Sequence, residues 1–194
     1  MTISKGIRSE PGAAAPGGAD EAAGSRRRDL RAGAVGVCVP RRFASAAEAA
    51  HDLTEVVLRG RLLAHAYTGG LDSELRERVM VAVSQVNACG GCTRVHRRWA
   101  LRAGVSSAEL EALRAGDLGQ LDARSRAAVH YAVERAEHRF EGSASAGIEE
   151  SARERLSIRE LEEIDAVARA MALANLSLNT LAASKARLFG RPAT

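Results

Sequence analysis

Aromatic residues are scarce in this chain of 194 residues, which has one Trp, two Tyr and three Phe, or 3% of the total. The core must therefore be built mostly from Ala, Leu, Val and Ile, a composition that suits closely packed helices. The length fits one domain of ordinary size plus a tail, and it excludes a multidomain assembly.

Long apolar runs are also missing. A membrane-spanning helix needs about 18 or more apolar residues, and Arg169 and Asn175 interrupt even the apolar C-terminal stretch. Three cysteines cannot form a disulfide framework, but Cys89 and Cys92 lie three apart, a spacing typical of redox or metal chemistry in a reducing compartment. We therefore expect a soluble, cytoplasmic protein with no membrane partner.

The excess of basic charge is confined to the first part of the chain. The whole sequence has 28 basic and 24 acidic residues, and residues 1–42 hold eight basic and four acidic residues. Residues 43–194 are left with 20 of each sign. Phosphate binding needs an excess of cations on one face, so the charge balance predicts no nucleic-acid partner.

The composition divides the chain into two regions of different character. Residues 1–42 are rich in Gly, Ala, Pro and Arg with few large apolar residues, which predicts a disordered tail. The segment from Ser25 faintly resembles a twin-arginine export signal, but Asp29 stands where an apolar residue is expected. We interpret residues 1–42 as a solvated tail and residues 43–194 as one folded domain.

Helical periodicity continues almost without interruption from Ser45 onward, and capping signals divide it into six or seven helices. Without a hairpin signal or a sustained alternating run, this pattern predicts an all-α fold. The predicted helices run from Ala46 to about Tyr67, from Asp72 or Ser73 to about Asn87, from the Cys motif to Gly104, from Ser106 to Gly116, from Asp122 to Gly142, and, after a short helical segment, from Ser157 onward.

Four residues between positions 77 and 96 form the candidate catalytic motif. Glu77 is followed by eleven residues, Cys89-x-x-Cys92, three residues and His96. Two cysteines three apart at a helix start can form and release a disulfide, and the helix dipole with a nearby histidine can lower the pKa of a thiol. His96 lies one turn from Cys92 and can exchange the thiol proton, while Glu77 can orient the imidazole. This arrangement has a nucleophile, a base and an orienting group, and it requires the four groups to lie together within reach of a substrate.

At these residues the chain resembles the AhpD-like, or carboxymuconolactone decarboxylase, family. The redox-active branch of that family has the same Glu, Cys-x-x-Cys and His spacing, and the resemblance extends over about residues 45–190. It implies a compact helical fold of six or seven helices, assembly into trimers or hexamers, and alkylhydroperoxidase activity. By position, Cys92 is then the thiolate that is oxidised to sulfenic acid, Cys89 the resolving partner, and Glu77 and His96 the proton relay.

The resemblance also implies the partners of the reaction: a hydroperoxide substrate and an external dithiol reductant, such as a lipoylated protein. No bound organic cofactor or metal is needed. The best-studied members have a further histidine immediately before the second cysteine, and this chain has Gly91 there. The expected proton relay is correspondingly shorter.

Other interpretations of the same residues remain open. Cys89, Cys92, His96 and Glu77 could supply four zinc ligands, although a structural zinc site usually takes a second Cys or His pair well down the chain. The two thiols could instead be inert. At the level of function, the alternatives are a lyase of the decarboxylase branch and a non-enzymatic oligomer whose disulfide senses redox state.

Overall fold

The computed structural model describes residues 39–190, and over that range the secondary structure is helical, with no strand. The predicted all-α fold is confirmed. A π-helical turn, Ala66–Gly70, and a 3₁₀ turn, Leu118–Gln120, join some of the helices. The described residues form eight α-helices rather than six or seven: α1 (Ala46–Leu58), α2 (Gly60–His65), α3 (Ser73–Val86), α4 (Gly90–Ala103), α5 (Ser107–Ala115), α6 (Ala123–Glu137), α7 (Ala146–Arg153) and α8 (Ile158–Leu188).

Most of the predicted tail, including the twin-arginine-like segment, lies outside the described residues. Its last four residues, 39–42, contact the helical domain. The Arg41 amide donates to the Asn87 carbonyl at 3.1 Å, and its guanidinium donates to the Ala136 carbonyl at 3.0 Å. The division into residues 1–42 and 43–194 stays a prediction.

The predicted helix caps are formed by the expected side chains. Asp72 accepts from the Leu75 amide at 2.7 Å and begins α3. Capping boxes begin α5 and α8, and left-handed glycines end α4 and α5, as the local sequence predicts. The residues are Ser106 with Glu109, Ser157 with Glu160, Gly104 (φ 114°) and Gly116 (φ 74°).

Two predicted helix lengths are wrong. The first predicted helix breaks at Arg59 (φ −94°, ψ 10°), just before the weak helix former Gly60. The helix predicted to reach Gly142 ends at Glu137, because Arg139 and Phe140 take left-handed φ values of 54° and 62°. Contacts from Arg169 of α8 stabilise the backbone at this second helix end. The Arg169 guanidinium lies 4.7 Å from the centre of the Phe140 ring and donates to the Phe140 carbonyl at 3.2 Å.

Helix α3 is the centre of the domain. It packs against α4, α6 and α8, and its residues from Val79 to Ser84 are all buried. The buried apolar side chains of the described residues are Ala, Leu, Val, Ile, Met and Cys, with no aromatic ring among them. A core of small and aliphatic side chains lets the helices approach closely, as the scarcity of aromatic residues predicts. Site residues carried by α3 are therefore held firmly.

A buried carboxylate fixes the π-helical turn against α8. Glu163 is fully buried, and its Oε1 atom lies 2.6 Å from His65 Nδ1 and accepts from Arg159 Nε at 2.9 Å. Its Oε2 atom has no hydrogen-bond partner among the described residues and lies against Gly70. A side chain at position 70 would overlap this carboxylate and would come 2.6 Å from His65 Nδ1. Only glycine fits there without displacing a buried charge.

Gly70→Ala should therefore destabilise the protein by about 1–3 kcal/mol, because the added methyl group must displace the Glu163 carboxylate or the turn. Gly60→Ala is the matched control, since a Cβ there meets no atom within 4 Å; we expect it to leave stability within about 1 kcal/mol or to raise it. Urea unfolding followed by circular dichroism measures both. Equal stabilities for the two variants would show that the Glu163 carboxylate moves aside freely.

Candidate active site

The turn between α3 and α4 positions the two cysteines of the motif. α3 ends at Asn87, and Ala88 takes a left-handed conformation with φ 49°, which is uncommon for a residue with a side chain. This turn redirects the chain so that the Cys89 amide donates back to the Ser84 carbonyl at 3.0 Å. Cys89 is then the residue that immediately precedes α4.

Cys89 and Cys92 form a disulfide across the first turn of α4, with their Cα atoms 5.3 Å apart. Cys92 is the third residue of that helix, where backbone N–H groups lack carbonyl partners within the helix. The dipole of α4 favours negative charge at this end, so the position stabilises a thiolate when the bond is open.

Glu77 and His96 form the second pair of the predicted site. Glu77 Oε2 lies 3.0 Å from His96 Nδ1, and both side chains are largely buried, 6% and 13% exposed. The Trp99 ring meets the imidazole edge-on, with the ring centres 5.3 Å apart. His96 lies one turn after Cys92, so the two side chains project from the same face of α4. The structure thus pairs Cys89 with Cys92 at the start of α4, and it pairs His96 of α4 with Glu77 of α3.

The disulfide is more enclosed than the sequence predicts. Cys89 and Cys92 are 4% and 5% exposed and belong to the apolar cluster of the core. Gly90 and Gly91, which lie over the first turn of α4, are exposed, and a Cβ at either position would meet no atom within 4 Å. The backbone that joins the two bonded cysteines is therefore exposed, although the cysteines themselves are buried.

A network of buried and half-buried polar side chains next to this turn is not predicted by the sequence. Asn175 of α8 donates to Ser84 Oγ and accepts from the Asn87 side-chain amide, each at 3.4 Å. Asn179 donates to the carbonyls of Asn87 and Arg41, each at 2.9 Å. These bonds tie α8 and the segment before α1 to the residues that precede Cys89.

The sequence does show Asn175 and Asn179 four apart in an apolar helix, a pattern that indicates either hydrogen bonds within a subunit interface or an exposed face. Their partners lie about 90 to 140 residues away in the chain, where no local pattern could identify them. Both asparagines bond within this chain, so a subunit interface is not needed to explain them.

Metal binding finds no support in the described residues. Over residues 39–190 there is no group of three or more His, Cys, Asp or Glu side chains that could hold a metal ion.

Within the same residues, no helix has the length and apolar character needed to span a membrane.

The family comparison agrees with the motif. Residues 52–134 match the sequence profile of the carboxymuconolactone decarboxylase family, and the match includes α3, α4 and all four predicted site residues. The predicted resemblance is thereby confirmed over this region. No curated protein matches the chain.

Asn175→Ala should lower the free energy of unfolding by about 1–3 kcal/mol, because it removes the acceptor of the buried Asn87 side-chain amide and the donor to Ser84 Oγ. Ser177→Ala, an exposed change two residues further along α8, is the control and should stay within about 0.5 kcal/mol. Thermal or urea unfolding gives both values. If the two variants match, water or a rearranged side chain replaces the asparagine.

Proposed function

We propose that this protein is a thiol-dependent hydroperoxidase in which Cys89 and Cys92 cycle between dithiol and disulfide. The observation that supports it is the geometry of the site: a disulfide closes the first turn of α4, and the His96–Glu77 pair follows one turn later. An inert buried disulfide would not require a histidine one helical turn away that is hydrogen-bonded to a carboxylate.

The cycle begins with the reduced pair. The Cys92 thiolate attacks one oxygen of ROOH, the O–O bond breaks, and the products are a sulfenic acid on Cys92 and an alkoxide, which is protonated to ROH. The Cys89 thiol then attacks the sulfenic sulfur, forming the disulfide and releasing water. An external dithiol reduces this bond by thiol–disulfide exchange and becomes a disulfide itself. Overall, ROOH and two thiols give ROH, water and a disulfide.

His96 and Glu77 move the protons of this cycle. With Nδ1 of His96 donating to the Glu77 carboxylate, the Nε2 atom is left to take the proton of a cysteine thiol and to return a proton to the leaving alkoxide. The carboxylate fixes the orientation of the ring and stabilises its protonated form. Because Gly91 supplies no second imidazole, the relay consists of these two residues alone.

Assembly into a trimer or hexamer is part of the same proposal. Helix α1 has no buried residue in the single chain, and several large apolar side chains are exposed on α1 and α8. Apolar surface of this kind is typical of subunit contacts. The exposed side chains are Leu53, Val57, Leu58, Leu178, Leu181 and Leu188.

A lyase is the second candidate, because the family whose profile matches is named for a decarboxylase. Opening a lactone or losing carbon dioxide transfers no electrons between thiols, so it gives no use to the disulfide. Lactone or decarboxylase activity that survives loss of both thiols would favour this candidate. A redox-sensing oligomer, the third possibility, would change its assembly with reductant and show little turnover.

Cys92→Ser should abolish hydroperoxide consumption with a dithiol donor, because it removes the sulfur that attacks the peroxide. Cys38→Ser, which changes the cysteine outside the motif, is the matched control and should retain full activity. Cys89→Ser should react with one equivalent of peroxide and stop at the sulfenic acid, which a dimedone probe detects by mass spectrometry. Unchanged turnover in Cys92→Ser would refute the proposal.

Glu77→Gln and His96→Asn should each slow the reaction of the reduced enzyme with hydroperoxide by about 10²–10⁴-fold, because either change breaks the proton relay. The two changes act on one unit, so the double variant should be about as slow as the slower single variant. Stopped-flow measurement of the single-turnover rate tests this, with near-UV circular dichroism as the check on folding. Fully additive losses would show that the two residues act separately.

A further inference from the structure

Helix α4 has an unusual distribution of charge. Its fourteen residues include four arginines and no acidic residue, whereas residues 43–194 as a whole are balanced in charge. Arg97 is paired with Glu111 of α5 at 2.6 Å. Arg94, Arg98 and Arg102 are exposed, and none of the three forms a salt bridge or side-chain hydrogen bond with the rest of residues 39–190.

These three arginines form a straight line on the solvent side of α4. They recur every four residues, so they lie on one face over about 12 Å. Beside them are the exposed apolar side chains of Val95, Trp99 and Leu101, 44%, 48% and 47% exposed. Arginine and tryptophan next to each other are typical of the residues that contribute most to protein–protein binding. We call Arg94, Val95, Arg98, Trp99 and Arg102 the α4 surface.

We infer that the α4 surface docks an acidic protein domain that carries the reducing dithiol. The inference rests on the proposed function and names the partner that restores its disulfide. Positive charge at the α4 surface attracts an acidic surface, and the same helix begins at the exposed Gly90 and Gly91, which lie between the bonded Cys89 and Cys92. A dithiol on a domain seated here would approach the bond beside this exposed backbone, where an added Cβ would meet no atom within 4 Å.

Other occupants fit this surface less well. A second copy related by two-fold symmetry would bring the arginines against themselves, which like-charge repulsion disfavours. Residues 1–42 have twice as many basic as acidic residues and are not complementary either. A nucleic acid would meet three free arginines on a domain of balanced charge, and it would leave the nearby disulfide without a role.

The chemistry of docking is thiol–disulfide exchange. One thiolate of the partner attacks a sulfur of the Cys89–Cys92 bond and forms a mixed disulfide, releasing the other cysteine as a thiolate that takes a proton. The second thiol of the partner attacks the mixed disulfide, releasing the remaining cysteine. Two electrons and two protons pass from the partner to this protein, and the partner leaves as a disulfide.

The test compares two reductants that share one dithiol. The first is a lipoyl domain of net negative charge, reduced to its dihydrolipoyl form, and the second is free dihydrolipoamide, which is uncharged. The rate at which each reduces the Cys89–Cys92 bond is followed in the full-length protein by stopped flow with thiol labelling. The variant is Arg94→Glu/Arg98→Glu/Arg102→Glu, and the matched control is Arg61→Glu/Arg155→Glu/Arg187→Glu, which reverses three other exposed arginines.

We expect the α4 variant to be reduced by the acidic domain at least about tenfold more slowly at low salt, a loss that high salt diminishes. Its reduction by dihydrolipoamide should stay within about twofold of the wild type, and the control should resemble the wild type with both reductants. Equal rates for the wild type and the α4 variant with the acidic domain would overturn the docking inference, while reduction by dihydrolipoamide would leave the proposed function intact.

Three further outcomes are informative. If dihydrolipoamide does not reduce the wild-type disulfide, or the reduced protein consumes no hydroperoxide, the proposed function fails. If light scattering shows that the α4 variant alone changes oligomeric state, the surface is a subunit contact and the docking inference is wrong. It is also wrong if the α4 variant loses binding to a single-stranded oligonucleotide while its reduction by the acidic domain is unchanged.

Discussion

The carbonyl of Asn87 accepts hydrogen bonds from the Arg41 amide and the Asn179 side chain, and the position of the cysteines depends on them. This carbonyl lies at the end of the central helix, one residue before the left-handed Ala88. With α3 fixed by its buried faces and its end held by two donors, the turn has little freedom. Cys89 therefore lies immediately before α4, where it forms the disulfide with Cys92.

Local sequence signals predicted those parts of the site that lie close together in the chain. The Cys-x-x-Cys spacing at a helix start predicted the disulfide, and the interval from Glu77 to His96 predicted two adjacent helices whose side chains meet. The caps at Asp72, Ser106 and Ser157 are likewise formed between residues three positions apart. Such features depend on backbone geometry alone, so they can be inferred without knowing the tertiary structure.

Features that depend on distant contacts were missed. The early end of α6 is held by Arg169, 29 residues beyond Phe140, and the buried asparagines bond across about 90 residues. The burial of the disulfide was also missed, because the apolar cluster that contains both cysteines is completed by residues of α6 and α8, far along the chain. Spacing within one segment contains no information about which other helix will cover it.

The burial of the disulfide and the exposed arginines of α4 together bear on how fast a reductant can open the disulfide. A disulfide between cysteine residues that are 4% and 5% exposed meets a free thiol rarely, so a small reductant reaches it slowly. In the docking that we infer, a domain held on α4 by charge would raise the local concentration of its own dithiol and offset that slow access. The exposed Gly90 and Gly91 carry no side chain that would obstruct such a domain. Selectivity for the reductant would thus arise from the surface around the bond, and the proton chemistry from the two residues behind it.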